Sequence, residues 1–408
     1  MLVFSFYVII EPAPSDAIFI LVLVVSIVAG MTFRLTTMPL AIFLLLFNIG
    51  GLMSFIQIIG NSKAAQFVET SSYMAVTAIF FSSYIAKDTL RRAALIRNAL
   101  ILAGVFASIF AIAGYLHIGG FVGGSPDFQS RIAGVSRAVG LFKDPNVFAT
   151  YIIFPALMLM QGFMLGEQHH KFISAAGLLI ILAALFLAFS RGAWISFVAS
   201  ALLLILFTYL LVPPNLVQMR PNRMRSRIAF FVVVGLAISV AMLAILLSFA
   251  QVRDLFLDRF TLVKDYDSGE TGRFANQLNS IPMLLVRPLG FGPLQFSEIF
   301  RSDSHNVYVN SFSAYGWLGG ISYCVLIILT LVVGFKTILI RAPWQNFALV
   351  VYCPLVTTIF QGIQIDTDHW RHFYWLLGLT WGLFSASLAY ANASHNSGSR
   401  FKTKQPVE

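Results

Sequence analysis

Apolar runs long enough to cross a bilayer recur along most of this 408-residue chain. A hydrocarbon core of about 30 Å takes roughly 17–25 helical residues. With no water to satisfy backbone groups, a spanning segment must be a helix or part of a closed barrel. Runs of this kind are read at Ala17–Phe33, Pro39–Gly60, Ser72–Ala86, Asn98–His117, Val147–Leu165, Phe172–Ser190, Ala193–Val212, Ile228–Ala250, Leu318–Phe335, Asn346–Ile365 and Phe373–Asn392, with Ser72–Ala86 the shortest. The fold class expected is all-α and polytopic, with about 11 transmembrane helices in a single integral-membrane domain, 1–408. Composition agrees, at 58% hydrophobic, 11% charged and 39 Phe, far from a soluble domain.

The formal charge of +10 raises nucleic acid as a partner, and its distribution argues against one. Basic residues in short loops mark the cytoplasmic side. The clusters Lys87/Arg91/Arg92/Arg97 and Arg220/Arg223/Arg225/Arg227 anchor that side, and alternation of spans adds Arg34, Lys171, Lys336, Arg341, Arg400, Lys402 and Lys404. Only Asp88, Glu167 and Glu408 join them, so one face carries a net +12 and the other −2. The surplus is a topology signal. It places the N-terminus outside and the tail 393–408, expected to be polar and disordered, inside. Met1–Ile10 is apolar but has no basic flank or cleavage site, and Glu11-Pro12-Ala13-Pro14 ends it, so no cleavable signal is expected. Cys324 and Cys353 fall inside apolar runs with no CxxC or metal-ligand spacing, and no metal site is expected.

Two long polar segments, Ile118–Asn146 and Gln251–Tyr308, fall on the external face. Segments of that length in a compact fold are usually functional or disordered. Embedded aromatics and Gly/Pro turns favour folded caps, and Ala275–Leu285 has helical spacing. The polar residues that stand out converge on the same boundary: Arg137 and Asp144-Pro145-Asn146 before one span, Ser190-Arg191-Gly192 in a tight turn, Gly272-Arg273 and Ser304-His305-Asn306 in the large loop, and Asp366, Asp368, His369 and Arg371 before the last span.

Each has a plainer reading. Arg191 suits snorkelling to headgroups, and Arg273 suits an ion pair with Asp267 or Glu270. His305 suits a helix start satisfied by backbone. Asn146, after proline, reads as a helix N-cap. The Asp366/Asp368/His369/Arg371 group suits a structural ion-pair cluster, and Arg137 a surface phosphate contact. His117, His169 and His170 have no partner pattern.

Several arginines with one histidine suit group transfer from a diphosphate. Arginine stays charged at any working pH and grips phosphate oxygens with two prongs. It could stabilise the charge that develops on the leaving group, a part metals play elsewhere. Diphosphate leaves readily without a general acid, so one base for an acceptor hydroxyl suffices. The candidate catalytic residues are His305, Arg191 and Arg273, and the candidate substrate-binding residues are Arg137, Asn146, Asn306, Asp368 and Arg371.

These residues carry a resemblance. Arg137-Ala138-Val139-Gly140-Leu141-Phe142-Lys143-Asp144-Pro145-Asn146, Ser190-Arg191-Gly192-Ala193-Trp194, Gly272-Arg273 ahead of Pro288-Leu289-Gly290-Phe291-Gly292, Ser304-His305-Asn306 and Tyr315-Gly316-Trp317-Leu318-Gly319 occur in order over 137–371. In this the chain resembles the O-antigen ligase and polymerase superfamily, bacterial inner-membrane enzymes that handle undecaprenyl-diphosphate-linked glycans. The resemblance implies a multi-pass inner-membrane protein of the membrane glycosyltransferase (GT-C-like) type. A long periplasmic loop, 251–308, would cap a periplasmic active site, and the C-terminus would be cytoplasmic. It implies that Arg191 and Arg273 hold the lipid diphosphate. His305 would serve as base or orient the acceptor (lipid A-core or another glycan) with inversion and with no metal, cofactor or nucleotide sugar. The family commonly has about twelve spans, and on this reading the first is expected to be absent here. A ligase passes finished polymer to an acceptor, whereas a polymerase joins repeat units, and the shared motifs leave both open with ligase in front. A transporter or flippase, the alternative from another class, would place polar, broken helices at mid-membrane depth, whereas here the polar residues gather at one surface.

Overall fold

Every one of the apolar runs falls on a helix in the computed structural model, which describes residues 1–10, 12–121, 123–124, 137–168, 170–212, 221–260, 272–300 and 302–402. Side chains are described for these residues except 221–224, 236, 251, 255, 258–260 and 395–402. No strand occurs among the described residues. Among the described residues, six helices are long and apolar enough to cross a membrane by length and composition: Leu35–Ile58, Thr89–Tyr115, Pro145–Leu165, Arg191–Leu211, Arg225–Leu247 and Val307–Leu339. Pro14–Val28 and Lys171–Leu187 are apolar but shorter.

The chain forms two compact units, residues 1–30 with 94–264 and residues 31–93 with 265–408. The first contains helices α1 (Pro14–Val28), most of α4 (Thr89–Tyr115), α5 (Pro145–Leu165), α6 (Lys171–Leu187), α7 (Arg191–Leu211), α8 (Pro221–Leu247) and α9 (Ala250–Phe260). Its centre is α5, buried along nearly its whole length and packed by α6, α7 and α8. Gly104 of α4 lets Pro155 of α5 come close. Met1–Ile10 is tied to the same unit. The Val8 N–H donates to the Leu141 carbonyl at 3.0 Å, and the Ser5 and Tyr151 hydroxyls bond at 2.8 Å. Helix α8 is the opposite of α5: Phe230, Val233, Val240 and Ile245 are 59%, 66%, 59% and 63% exposed. An exposed helix this apolar is stable only with lipid around it.

The second unit contains α2 (Met38–Phe55), α3 (Ser62–Lys87), α10 (Arg273–Leu285), α11 (Phe296–Phe300), α12 (Val307–Leu339), α13 (Gln345–Gln361) and α14 (Arg371–Lys402). Helices α2 and α12 pack through small residues, as membrane helices do where backbones approach closely. A Cβ on Gly50 would lie 2.5 Å from the Tyr315 carbonyl oxygen and 2.6 Å from the Gly319 nitrogen. Phe47 and Tyr315 stack beside that contact with centroids 3.8 Å apart. Helix α3 packs along α14.

Helix α12 is broken. Gly316 has φ 65° and ψ −171° inside it, a conformation open to glycine alone. The freed groups are taken up by the Pro288–Gly292 turn. Trp317 N–H donates to the Pro288 carbonyl at 2.8 Å and Phe291 N–H to the Ser313 carbonyl at 2.8 Å. The Trp317 indole donates to Leu284 O of α10 at 2.9 Å. Two glycine-rich stretches that the sequence presents as separate motifs are thus one joint.

Three sequence expectations change. Asp144, not Asn146, caps α5: its Oδ1 accepts the Asn146 and Val147 N–H groups at 2.6 and 3.4 Å. Pro145 takes the first helical position, where its fixed φ fits and its missing N–H costs nothing. Helix α10 begins at Arg273, two residues before the expected start. Helix α14 continues to Lys402, so much of the expected disordered tail has helical backbone.

Candidate functional site

In the first unit the site grows from the three-residue turn between α6 and α7. Phe189 adopts φ 47°, unusual for a bulky residue. That bend brings Ser190 to the N-cap of α7, where its hydroxyl accepts from Ala193 N–H at 3.4 Å, and makes Arg191 the first helical residue. The turn is buried, with Ala188 at 0% and Phe189 at 1% exposure, so the free carbonyls at the end of α6 need partners. Trp194 Nε1 donates to Leu185 O at 3.0 Å, and Ala138 N–H to Leu187 O at 2.9 Å. Arg137 Nε donates to Ala188 O at 2.8 Å, and its Nη2 to Phe189 O at 3.2 Å and to Asn146 Oδ1 at 3.3 Å. Asn146 Oδ1 also accepts from the Ser190 hydroxyl at 2.8 Å. The structure therefore brings Arg137, Asn146 and Arg191 together around one turn.

In the second unit the corresponding turn is Ser304-His305-Asn306. His305 has φ 46°, and Asn306 caps the 33-residue α12, accepting from Tyr308 and Val309 N–H at 3.0 and 3.2 Å. Asp366 clamps the turn: its carboxylate accepts the Ser304 hydroxyl at 2.8 Å and the His305 and Asn306 N–H groups at 3.1 and 3.0 Å. Gln277 of α10, one helical turn beyond Arg273, donates to Ser304 O at 2.7 Å. Arg273 Nη1 donates to Gln364 O at 3.4 Å, and its guanidinium lies 5.0 Å from the Phe274 ring centroid. The segment 364–366 thus meets Arg273 at one end and the His305 turn at the other.

Asp368, 1% exposed, sits behind the clamp. Its Oδ2 accepts from Asn310 Nδ2 at 3.0 Å and lies 3.3 Å from His369 Nδ1. His369 Nε2 is 3.1 Å from the Phe67 carbonyl, which can only accept, so Nε2 carries a proton. Burial disfavours a charge on His369, but the Asp368 carboxylate and the Phe67 carbonyl outweigh it and raise its pKa. Asp366 keeps some accessible surface but is closely packed round. Burial pushes its carboxyl up to about 7, the Asp368 charge adds to the shift, and the Ser304 and Asn306 hydrogen bonds oppose it.

Arg191, Arg273 and Arg371 each occupy the first residue of a helix, of 21, 13 and 32 residues. Cations are favoured at the other end of a helix. At the N-terminus a positive side chain faces the positive end of the macrodipole and unpaired N–H groups, at a cost of about 0.3–1 kcal/mol. The same end suits an anion. Asp267 and Glu270, the expected partners of Arg273, lie outside the described residues, as does His169. Within the expected ion-pair cluster the close pair is Asp368 with His369, while Asp366 turns to the His305 loop. Sequence reasoning did not single out Gln277, Asn310 or Gln364. Helical register would have placed Gln277 on the Arg273 face, but nothing local announces a backbone acceptor such as Gln364.

The molecule is a polytopic membrane protein, helical with no strand among the described residues, in which Arg191, Arg273 and Arg371 open helices and His305 stands just before one. Residues 176–324 match the family model for O-antigen ligase, and over that segment the chain is similar to that family. The segment includes Arg191, Arg273, His305 and Asn306; Arg137, Asn146, Asp368 and Arg371 lie outside it. No curated protein matches the chain.

Proposed function

We propose that this protein is an O-antigen ligase-type glycosyltransferase, moving glycan from undecaprenyl diphosphate to an acceptor such as lipid A-core. It would act at the periplasmic face of the inner membrane and without a metal. The observation that carries the reading is the His305 turn, held by three hydrogen bonds to Asp366 and connected through residues 364–366 to Arg273. A half-buried histidine on a backbone turn clamped by a carboxylate, with an arginine bonded to the same 364–366 segment, is equipment that transfer from a diphosphate can use.

In this scheme His305 takes the proton from an acceptor hydroxyl, whose oxygen attacks the anomeric carbon. The bond from that carbon to the diphosphate oxygen breaks, and the diphosphate leaves with the bonding electrons. Arg191 and Arg273 neutralise the growing charge on the leaving group, and inversion follows from a single displacement. Arg371 adds a third cation at a helix start, while Asn306 and Asp368 shape the acceptor side. Eleven spans, a C-terminus in the cytoplasm, a GT-C-like arrangement and 251–308 as a periplasmic cap complete the proposal.

The related reading is a polymerase that joins lipid-linked repeat units with the same residues; the family match favours it equally at the level of chemistry. The two separate on the length of glycan attached to undecaprenyl diphosphate in a strain lacking this protein. Long chains stranded on the lipid identify a ligase, and single repeat units a polymerase. Lipid-linked glycan and its transfer both unchanged would overturn the transferase proposal.

A further inference from the structure

We propose that Arg137 is a positioning residue: it acts through Arg191, by fixing the Ala188–Ser190 turn, and does not itself grip the diphosphate. Only the naming of Arg191's ligand rests on the transferase reading.

A helix that ends in a buried turn leaves C=O groups that must find donors or incur a desolvation penalty. At the end of α6, Leu185 O is met by Trp194 and Leu187 O by Ala138 N–H. The next two, Ala188 O and Phe189 O, are met by the Nε and Nη2 of Arg137. A planar fork can serve two successive carbonyls and an amide oxygen together; an ammonium on a flexible stem cannot hold that geometry.

Phe189 makes this fork consequential. Its left-handed φ of 47° carries strain and persists only where the surroundings enforce it. Arg137 holds its carbonyl, and the Phe186 and Trp194 rings lie 5.9 and 6.3 Å from its own. If Phe189 relaxes, Ser190 leaves the N-cap and Arg191 leaves the start of α7. Asn146 joins the two halves, because its Oδ1 accepts from both Arg137 and the Ser190 hydroxyl.

Charge placement separates the two arginines. Arg137 sits at the C-terminal, negative end of α6, where its charge is matched by carbonyl dipoles. Arg191 sits at the positive end of α7, the end where the helix dipole disfavours a cation.

Two measurements on protein reconstituted in nanodiscs test the assignment, with thermal unfolding and size-exclusion as folding controls. The first is binding of undecaprenyl diphosphate to R137K, R191A and R137K/R191A. R191A should weaken binding by about tenfold or more and R137K by about 3–10-fold, and the double variant should bind no more weakly than R191A, the non-additivity expected of residues acting as one unit. Losses that multiply in the double variant would mean that Arg137 contacts the lipid diphosphate independently, and would overturn the proposal. The second needs no ligand. In a C324S/C353S background, the thiol of R191C is reacted with a membrane-impermeant reagent, with and without R137Q. A several-fold change in labelling rate is expected when the fork is lost, and an unchanged rate overturns the proposal. If R191A binds the lipid normally while R137Q still alters labelling, the positioning role stands and the diphosphate role of Arg191 is what fails.

Discussion

His305 is held in its turn through its backbone. The Asp366 carboxylate fixes the left-handed turn through main-chain N–H groups, so removing the imidazole leaves the clamp intact. H305A should therefore abolish transfer of lipid-linked glycan in reconstituted membranes while the protein inserts and unfolds as the parent does. Transfer at the parental rate would remove His305 from the mechanism. Asp366 is open to a different test. Its carboxyl is pushed up to about 7 from the ordinary 3.8, so between those values the folded state holds a proton that the unfolded state has released. Stability contributed by this group rises as pH falls from about 7 towards 4 and is lost as pH rises through the folded value. His369, also raised, contributes in the same direction, since its stabilisation is present below its unfolded value and lost above its folded one. D366N removes one of the two, and the fall in Tm between pH 5 and pH 8 should be smaller in D366N than in the parent. An equal fall would show that Asp366 does not titrate in this window. None of this was legible from the residues alone. Asp366 looked like a member of a local ion-pair cluster, because a sequence reveals neighbours a few positions apart, whereas the turn it clamps is 61 residues away.

At the scale of elements, the apolar runs announced the helices, because length and hydrophobicity are local properties. The broken helix was not announced. Tyr315-Gly316-Trp317-Leu318-Gly319 reads as an ordinary small-residue stretch, and its partner, the Pro288–Gly292 turn, is fixed by packing. G316A places a Cβ 2.6 Å from the Pro288 carbonyl oxygen on a residue with φ 65°. It should destabilise the fold by about 1–3 kcal/mol, read as a lower Tm in detergent with transfer activity reduced in parallel. Full parental stability would mean that the helix can close over the break. The cap of α5 gives the same lesson on a smaller scale. Asn146 has the right residue type for a cap, but the proline before it already occupies the first turn, so the cap passes to Asp144 and Asn146 is freed to bond Ser190.

Across the whole molecule, the contrast between α5 and α8 defines what surrounds the protein. The first is apolar and buried, the second apolar and bare, and only a hydrocarbon solvent accommodates both. V233R introduces a charge on an exposed face of α8, 66% accessible at that residue. It should lower the yield of membrane-integrated protein, since an arginine near the middle of a span costs about 2.5–3.5 kcal/mol on insertion scales. An undiminished yield in carbonate-washed membranes would place α8 against protein or water instead. The positive-inside bias was legible in the sequence because it depends on counts alone. The gathering of Arg137, Asn146 and Ser190 around one turn was not, because 44 residues separate Asn146 from Ser190.

The arginines that open α7, α10 and α14 have a thermodynamic corollary. Each places a cation at the positive end of a helix, the end that favours an anion. Linkage is reciprocal: whatever free energy a bound anion draws from such a helix start, the folded chain draws from the anion. An undecaprenyl diphosphate at 100 times its Kd should add about 2.7 kcal/mol to stability, seen as a rise in Tm that undecaprenol, with the same tail and no charge, does not produce. A substrate that binds there would act as part of the fold, its affinity and the stability of the protein being two readings of one free energy.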